Sequence, residues 1–327
     1  MTKDLVLAIL KQADTYISGE KISAQLGITR SAVNLAVKNL RQEGYQISSS
    51  TNRGYLLEEN KELDLLTTGE LLSLLPTSRM ETVVCLDSVD STINELRKKA
   101  FAGAASGTVV IANEQSCGRG RRGRTFVSPK NTGIYFSILF RPNCNPPECT
   151  TITAWTAVAV SRAIYRITNI HPSIKWVNDL FLNHKKICGI LTEMSMENES
   201  NHVQHIIIGI GINVNQPNSS FPEELQNIAS SIYAETGQKV SRAKLTAALI
   251  QELDKMLEDW PTASEAYLEA YRKYNLTTKE NMAIVSGNNQ IPITVLGINE
   301  DFSLKVQHKD GKVENLSSGE VSVKFKE

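Results

Sequence analysis

Two incompatible folds compete for the run Cys117-Gly118-Arg119-Gly120-Arg121-Arg122-Gly123-Arg124. Glycines at 118, 120 and 123 satisfy G-x-G-x-x-G, the fingerprint of a dinucleotide-binding βαβ unit. That unit needs a helix directly after the third glycine, with its N-terminus facing a pyrophosphate. Here Arg124-Thr125-Phe126-Val127-Ser128-Pro129 follows, which reads as extended chain closed by proline. Nor can Arg119, Arg121, Arg122 and Arg124 all be buried against a sheet, so the dinucleotide reading is rejected. A solvated basic loop, an RNA-binding arginine-glycine patch and a loop closing over an anionic ligand remain. Glycine permits close backbone approach, and arginine offers forked donors for phosphate or carboxylate. Predicted strands at 107–113 and 133–140 flank the loop and place it at a sheet rim, which favours the ligand loop.

Outward from the loop, the segment 82–86 is a strand running into Asp87-Ser88-Val89-Asp90-Ser91-Thr92, a hydroxyl-rich turn at a helix start. A helix spans 151–167, with Trp155 as a packing residue. Lys175-Trp176-Val177-Asn178-Asp179 then gathers a cation, an aromatic face and metal-competent oxygens in five residues. A polar turn is predicted over 183–186. Strands follow at 187–196 and 203–214, the second ending Gly209-Ile210-Gly211-Ile212-Asn213, where small residues admit another group to the backbone. No G-x-x-x-x-G-K-[ST] occurs, so an ATP site here is not a P-loop. Ser241 caps a helix that ends at Pro261, and a shorter helix covers 265–274. Beyond Thr277 the texture alternates, with strands at 283–285, 290–296, 303–306 and 321–325 and turns at Gly287-Asn288-Asn289 and Asp310-Gly311.

The first sixty residues read as a separate unit. Leu5, Ile9 and Leu10 mark one helix, and Ser18 caps a second that Gly27 stops. Thr29 caps a third carrying Val33, Val37 and Leu40. Helix, glycine turn and helix make a helix-turn-helix. Two short strands, 44–47 and 54–57, enclose a polar wing. Thr29, Arg30, Ser31 and Asn34, with Ser18 at the preceding cap, would meet bases or phosphates, and Lys38, Arg41 and Arg53 would lie near the backbone. A three-helix docking module that touches no DNA is the alternative. A charged joint at 61–64 and a helix over 63–75 lead into the middle of the chain.

Lys+Arg and Asp+Glu are both 35, so a globally basic nucleic-acid coat is excluded and any DNA contact is a local patch. At 41% hydrophobic and 21% charged residues, the chain is that of a folded protein rather than a disordered one. No run approaches the roughly 18 apolar residues of a membrane span, and the N-terminus does not read as a signal peptide. Cys85, Cys117, Cys144, Cys149 and Cys188 form no disulfide framework or Cys-x-x-Cys pair, which fits a reducing cytoplasm. Cys144 and Cys149 bracket a Pro-rich loop and could be a redox pair; two free thiols is the preferred reading. The five histidines show no metal-ligand spacing on a helix.

Taken together, these motifs resemble the biotin–protein ligases. Residues 117–124 resemble their G-R-G-R-x-x-R loop, and 175–179 their K-W-P-N-D signature. Lys186-Ile187-Cys188-Gly189-Ile190-Leu191-Thr192-Glu193 and Gly209–Asn213 resemble their G-I-L-x-E and G-I-G-x-N strands. Ser317-Ser318-Gly319-Glu320 resembles their C-terminal G-G-E turn. Order and spacing hold over essentially the whole chain, and the winged helix points to the bifunctional type, both ligase and biotin-operon repressor.

The resemblance implies an α/β (α+β) protein: a winged helix-turn-helix over 1–63, a mixed-sheet ligase domain of the biotin/lipoate type over 64–276, and a small SH3-like β-barrel over 277–327. It implies that ATP activates biotin to biotinyl-5′-AMP and that biotin passes to a lysine of the biotin carboxyl carrier domain of acetyl-CoA carboxylase and other biotin enzymes. Biotin is substrate, ATP co-substrate and Mg²⁺ activator, with no tightly bound cofactor. Ser91, Thr92, Gln115, Arg119, Gly120, Arg121 and Lys186 would hold biotin and adenylate; Arg121, Lys186 and Asp179 would be catalytic. Lys175, Asn178, Asp179 and Asn213 would serve the ATP side, with Mg²⁺ at Asn178 and Asp179. The adenylate-bound homodimer would repress biotin genes by binding operator DNA. Val177 stands where the family commonly has proline, and Ile93 where it commonly has Asn or Gln. A non-catalytic biotin-sensing transcription factor and a lipoate–protein ligase relative are the alternatives.

Overall fold

The computed structural model describes residues 2–58, 60, 64–197, 202–277, 281–286, 289–319 and 321–324. At the N-terminus, α1 (Thr2–Lys11), α2 (Gly19–Leu26) and α3 (Arg30–Gln42) precede a hairpin of β1 (Ile47–Ser50) and β2 (Gly54–Leu57). Ser18 Oγ accepts from the Lys21 N–H at 3.1 Å and Thr29 Oγ1 from the Ala32 N–H at 3.2 Å. Each cap contributes about 1 kcal/mol of helix stability. Gly27, at φ 62°, ends α2 in the left-handed region. Val33, Val37 and Leu40 repeat at helical spacing and pack with Val6, Leu7, Leu10 and Ile22 in a core of their own.

Residues 64–67 lie outside any helix, and α4 (Thr68–Leu74) is shorter than the helix predicted over 63–75. Two contacts explain the difference. Thr67 Oγ1 caps α4 by accepting from the Glu70 N–H, and Asp64 is gripped by fully buried Arg242, whose Nε donates to Asp64 Oδ2 at 2.8 Å. Residues 61–63 of the predicted joint lie outside the described residues.

The middle of the chain runs β3 (Val83–Leu86), α5 (Thr92–Phe101), β4 (Val109–Ala112), β5 (Gly133–Phe140), α6 (Ile152–Thr168), β6 (Ser173–Lys175), β7 (Asp179–Leu182), β8 (Lys185–Met196) and β9 (Val203–Asn213). Then come α7 (Ile232–Thr236), α8 (Arg242–Asp259) and α9 (Ser264–Tyr274). The strands form one mixed sheet in the order β3-β4-β5-β9-β8-β7-β6, with β3 and β4 parallel and every other pair antiparallel. The predicted polar turn 183–186 is confined to Asn183 and His184, both at positive φ; Lys186 already belongs to β8. Successive strand residues face opposite sides of a sheet. Along β9, Ile206, Ile208, Ile210 and Ile212 therefore enter the core beneath α6 and α8, while Ile207, Gly209 and Gly211 face the other side. There α5 packs Ile93, Leu96 and Ala100 on Val110, Leu139 and Ile207, and covers only part of the face. The uncovered part holds the site.

The C-terminal strands β10 (Asn281–Ser286), β11 (Asn289–Ile298), β12 (Leu304–His308), β13 (Val313–Leu316) and β14 (Val321–Lys324) form an antiparallel sheet in the order β13-β12-β11-β10-β14. Strand β13 was not predicted: Val313-Glu314-Asn315-Leu316 carries little apolar signal, and pairing with β12 makes it a strand. Residues 287–288, within a predicted turn, Glu320 and Phe325 lie outside the described residues. Met282, Ile293, Phe302, Leu304 and Val306 belong to the same hydrophobic core as the large sheet. No described helix is long and apolar enough to cross a membrane.

Candidate functional site

Three glycines make the floor of the site. Gly189 on β8 pairs with Gly211 on β9, and Leu191 with Gly209. A Cβ at Gly209 would stand 2.6 Å from Ile93 Cδ1, and one at Gly211 2.6 Å from Phe126 Cε1. Backbone alone fits there, which is the close approach these positions need. Ile93, the departure from the family pattern, is a buried wall with its side chain against Gly209.

One wall is the N-terminus of α5. Ser91 is buried at the N-cap position but makes no side-chain cap; the Thr92 N–H instead donates to Gln115 Oε1 at 2.9 Å. Gln115 Nε2 donates to Ser128 Oγ at 3.0 Å, and Thr92 Oγ1 lies 2.8 Å from Ser137 Oγ. Ser91, Thr92 and Gln115 thus come together from two distant segments. Opposite them the 117–124 loop folds back on itself: Arg119 bridges to Thr125 and the Gly120 N–H donates to Arg124 O at 2.7 Å. Arg122 has φ 57°, the left-handed region, so the reversal is tight.

A polar chain crosses the mouth. Arg121 Nη2 donates to Gly319 O at 3.0 Å and Nη1 to Asn178 Oδ1 at 2.8 Å. Asn178 Nδ2 donates to Asp179 Oδ1 and to Ile190 O, each at 3.0 Å. Lys186 Nζ lies 2.7 Å from Asp179 Oδ1. Gly120, Arg121, Phe126, Asn178 and Lys186 line both an inner chamber of about 50 Å³ and an outer one of about 520 Å³, joining the two. Ser91, Thr92, Gln115 and Arg119 face the inner chamber; Lys175, Asp179 and Asn213 face the outer. The outer chamber also has an apolar wall of Phe221, Leu225 and Ile228. Sequence reasoning missed that wall and Phe126, which carry no periodicity, and marked Gly319 as part of a C-terminal turn motif without a role at the site.

Not every expected side chain is open to a ligand. Buried Asn213 donates to Ser230 O at 2.9 Å and accepts from Gln216 Nε2 at 3.3 Å, bracing the loop after β9. Lys175 Nζ sits 5.7 Å from the Phe181 ring centre. Burial pushes the Cys188 thiol far up, so it stays protonated and inert behind the floor. Trp176 Nε1 donates to Phe302 O at 2.9 Å, and the Trp176–Val177 peptide is cis. No described group of three or more His, Cys, Asp or Glu could hold a metal. Asp179 offers one carboxylate, enough for a Mg²⁺ that arrives on ATP phosphates but not for a protein cage.

The second region is α3 with the wing. Ser18 and Thr29 act as helix caps, and Ser31 Oγ lies 2.9 Å from Thr29 Oγ1. Arg30, Ser31, Asn34 and Lys38 are exposed. Arg53 lies over the Tyr16 ring, 4.6 Å from its centre, on the wing. Arg41, expected near a DNA backbone, is engaged internally: Nε donates to Ile47 O at 2.9 Å and ties α3 to β1.

A glycine-floored chamber on a mixed sheet, roofed by an arginine loop, defines a cofactor–protein ligase domain, here carrying a helix-turn-helix. The comparisons agree. Residues 85–213 match the biotin/lipoate A/B protein ligase family, and residues 2–56 match the HTH domain. The bifunctional ligase/repressor BirA of Bacillus spizizenii is 33% identical over 99% of this chain and 98% of its own length. BirA of Escherichia coli is 28% identical over 100% and 98%. The structure of the Aquifex aeolicus biotin protein ligase in complex with biotin and ATP, 29% identical, superposes with a TM-score of 0.62 over 75% of this chain and 100% of that one. The chain belongs to the bifunctional ligase/repressor BirA family.

Proposed function

We propose that this chain joins biotin to ATP as biotinyl-5′-AMP, transfers biotin to a lysine of a biotin carboxyl carrier domain, and represses biotin genes as an adenylate-loaded homodimer. The observation that carries the reading is the Gly319–Arg121–Asn178–Asp179–Lys186 chain at the junction of the two chambers.

A carboxylate and a polyphosphate repel one another, so cations must gather where they meet. Biotin enters the inner chamber, its ring polar groups against Ser91, Thr92 and Gln115 and its carboxylate toward Lys186. ATP lies in the outer chamber, with its base on the apolar wall, Lys175 and Asn178 along its flank, and Asn213 acting indirectly by holding the loop after β9. Lys186 exchanges Asp179 for the biotin carboxylate and the α-phosphate. A carboxylate oxygen bonds to the α-phosphorus as the bond to pyrophosphate breaks. Asp179 and Asn178 would hold a Mg²⁺ arriving with ATP, which would supply positive charge against the phosphates. Arg119, Gly120 and Arg121 close over the anhydride and keep water out. In the second step the acceptor lysine amine bonds to the biotinyl carbonyl, AMP leaves, and Asp179 takes the proton.

Residues 191–196 of β8 have no strand on the β7 side among the described residues, and Met194 and Met196 are exposed there. That edge suits a carrier domain or a second protomer by strand addition, and competition between them links acceptor supply to repression. Ser18, Thr29, Arg30, Ser31, Asn34, Lys38 and Arg53 form the operator-facing surface. Domain limits at 63/64 and 276/277 and a cytoplasmic location belong to the same reading.

The test is pyrophosphate–ATP exchange with Mg²⁺ and biotin, lipoate or no acid. Exchange with biotin alone is expected. Exchange with lipoate alone would move the protein to the sister activity, and biotin binding without exchange would make it a sensor.

A further inference from the structure

We infer that Leu35 on α3 reads the 5-methyl group of a thymine, beside an adenine contact from Asn34, and so sets part of the sequence preference of the DNA surface. This rests on the DNA-binding reading above. Helix α3 has two faces. Val33, Ala36, Val37 and Leu40 are buried in the N-terminal core. Ser31, Asn34, Leu35 and Lys38 are exposed and recur at i, i+3, i+4 and i+7, one face of a helix. Three of these are polar, whereas Leu35 is a large apolar side chain 59% exposed.

Leu35 takes no part in the hydrophobic core around it. Isolated exposed leucines are common on protein surfaces, so exposure alone decides nothing. Position decides: Leu35 is flanked by hydrogen-bonding and cationic side chains on the second helix of a helix-turn-helix, the one that such motifs place in the major groove. The charge fits the same occupant. Over its thirteen residues α3 carries Arg30, Lys38 and Arg41 and no acid, in a chain whose net charge is zero. In the major groove thymine alone among the bases presents an apolar group, and adenine presents the acceptor–donor pair that an Asn amide matches. Adjacent residues 34 and 35 are thus chemically suited to an A·T-rich step, with Lys38 one turn on for a phosphate.

The full chain, with biotin, ATP and Mg²⁺, is selected against a random duplex pool, as wild type, Leu35→Ala and Leu35→Asn. The N-terminal unfolding transition of the variants should match wild type, showing that the winged helix is intact, and their adenylation rates should equal wild type. The wild type should enrich a half-site with a required thymine, and both variants should relax that position while keeping the others. Replacing that thymine by uracil should weaken wild-type binding about fourfold, the worth of one buried methyl group, and leave Leu35→Ala unchanged. If the variants enrich the wild-type site unaltered, or uracil is tolerated at every position, the inference is overturned and DNA binding stands. If the wild type enriches no sequence, the DNA-binding reading fails and the inference falls with it.

Discussion

The N-terminal and C-terminal units flank the same ligase sheet but join it in different ways. The winged helix keeps its own core, from Val6 to Ile47, and meets the rest chiefly where α1 packs on α4. The contact is close: a Cβ at Gly69 would stand 2.9 Å from Leu7 Cδ2, and Lys11 Nζ lies 2.9 Å from Glu70 Oε2. The C-terminal sheet instead shares the ligase core and hydrogen-bonds to ligand-site segments, through Trp176 to Phe302 O and Arg121 to Gly319 O. A unit offered to a long polymer can fold by itself and present an exposed face. A unit that completes a small-molecule site is built into the site's own core.

The largest expected effect breaks the C-terminal side of this contrast. Removing residues 277–327 uncovers Trp176 and Tyr271, buried aromatic side chains that each bury roughly 150–250 Å². Cooperative thermal unfolding of the ligase core and biotin-dependent exchange should both be lost. A soluble, active truncation would show that the shared core is incidental. Next, Lys186→Ala should leave the melting profile intact and lower exchange about 10²–10³-fold, the effect of losing one preorganised charge donor. Trp176→Phe replaces the indole by a smaller ring, which removes the N–H, leaves the Phe302 carbonyl unpaired and opens a void in the shared core. It should destabilise the large-core transition by about 1–3 kcal/mol in denaturant titration without moving the N-terminal transition.

Acid sharpens the comparison. Desolvation, by the Tyr165 and Tyr274 rings stacked on exposed His171 and by burial at His205, reinforced by nearby cations, holds both imidazoles below their ordinary value. Folding therefore favours their neutral forms, whereas the unfolded chain takes up protons near pH 6.5. Their stabilisation is present above about pH 6.5 and is lost as pH falls below it. Residues 2–58 contain no histidine. Between pH 7 and 5 the large-core transition should drop in calorimetry and the N-terminal one should hold. The smallest effect is the complement of the largest: removing residues 1–60 should change exchange by less than about threefold, under 0.7 kcal/mol of barrier.

Legibility followed locality. Caps at Ser18, Thr29 and Ser241 and the Gly27 break are short-range signals, and the helices start and stop where those signals lie. The Gly209–Asn213 alternation was legible as a place for close approach because strand periodicity puts both glycines on one face. What stayed hidden is non-local. Gln115 caps α5 from another segment, Asp64 is fixed by Arg242 from 178 residues away, and Gly319 reaches Arg121 across 198. The apolar wall of the outer chamber lies on a loop whose composition carries no period. Arg41 is a local miss: a basic residue at a plausible DNA-facing position is engaged by Ile47 O, six residues on and across the turn into β1, where no periodicity marks the contact.

In the proposed cycle Arg121 closes the site over an activated biotin. Wild type and Arg121→Gly are each incubated with biotin, ATP and Mg²⁺ without acceptor, rapidly desalted, and assayed by mass spectrometry for bound biotinyl-5′-AMP. Near-stoichiometric adenylate should stay with the wild type, while Arg121→Gly should release it and label lysines of an added bystander protein. Equal retention by the two proteins, with no bystander labelling, would contradict the closing role of the arginine loop.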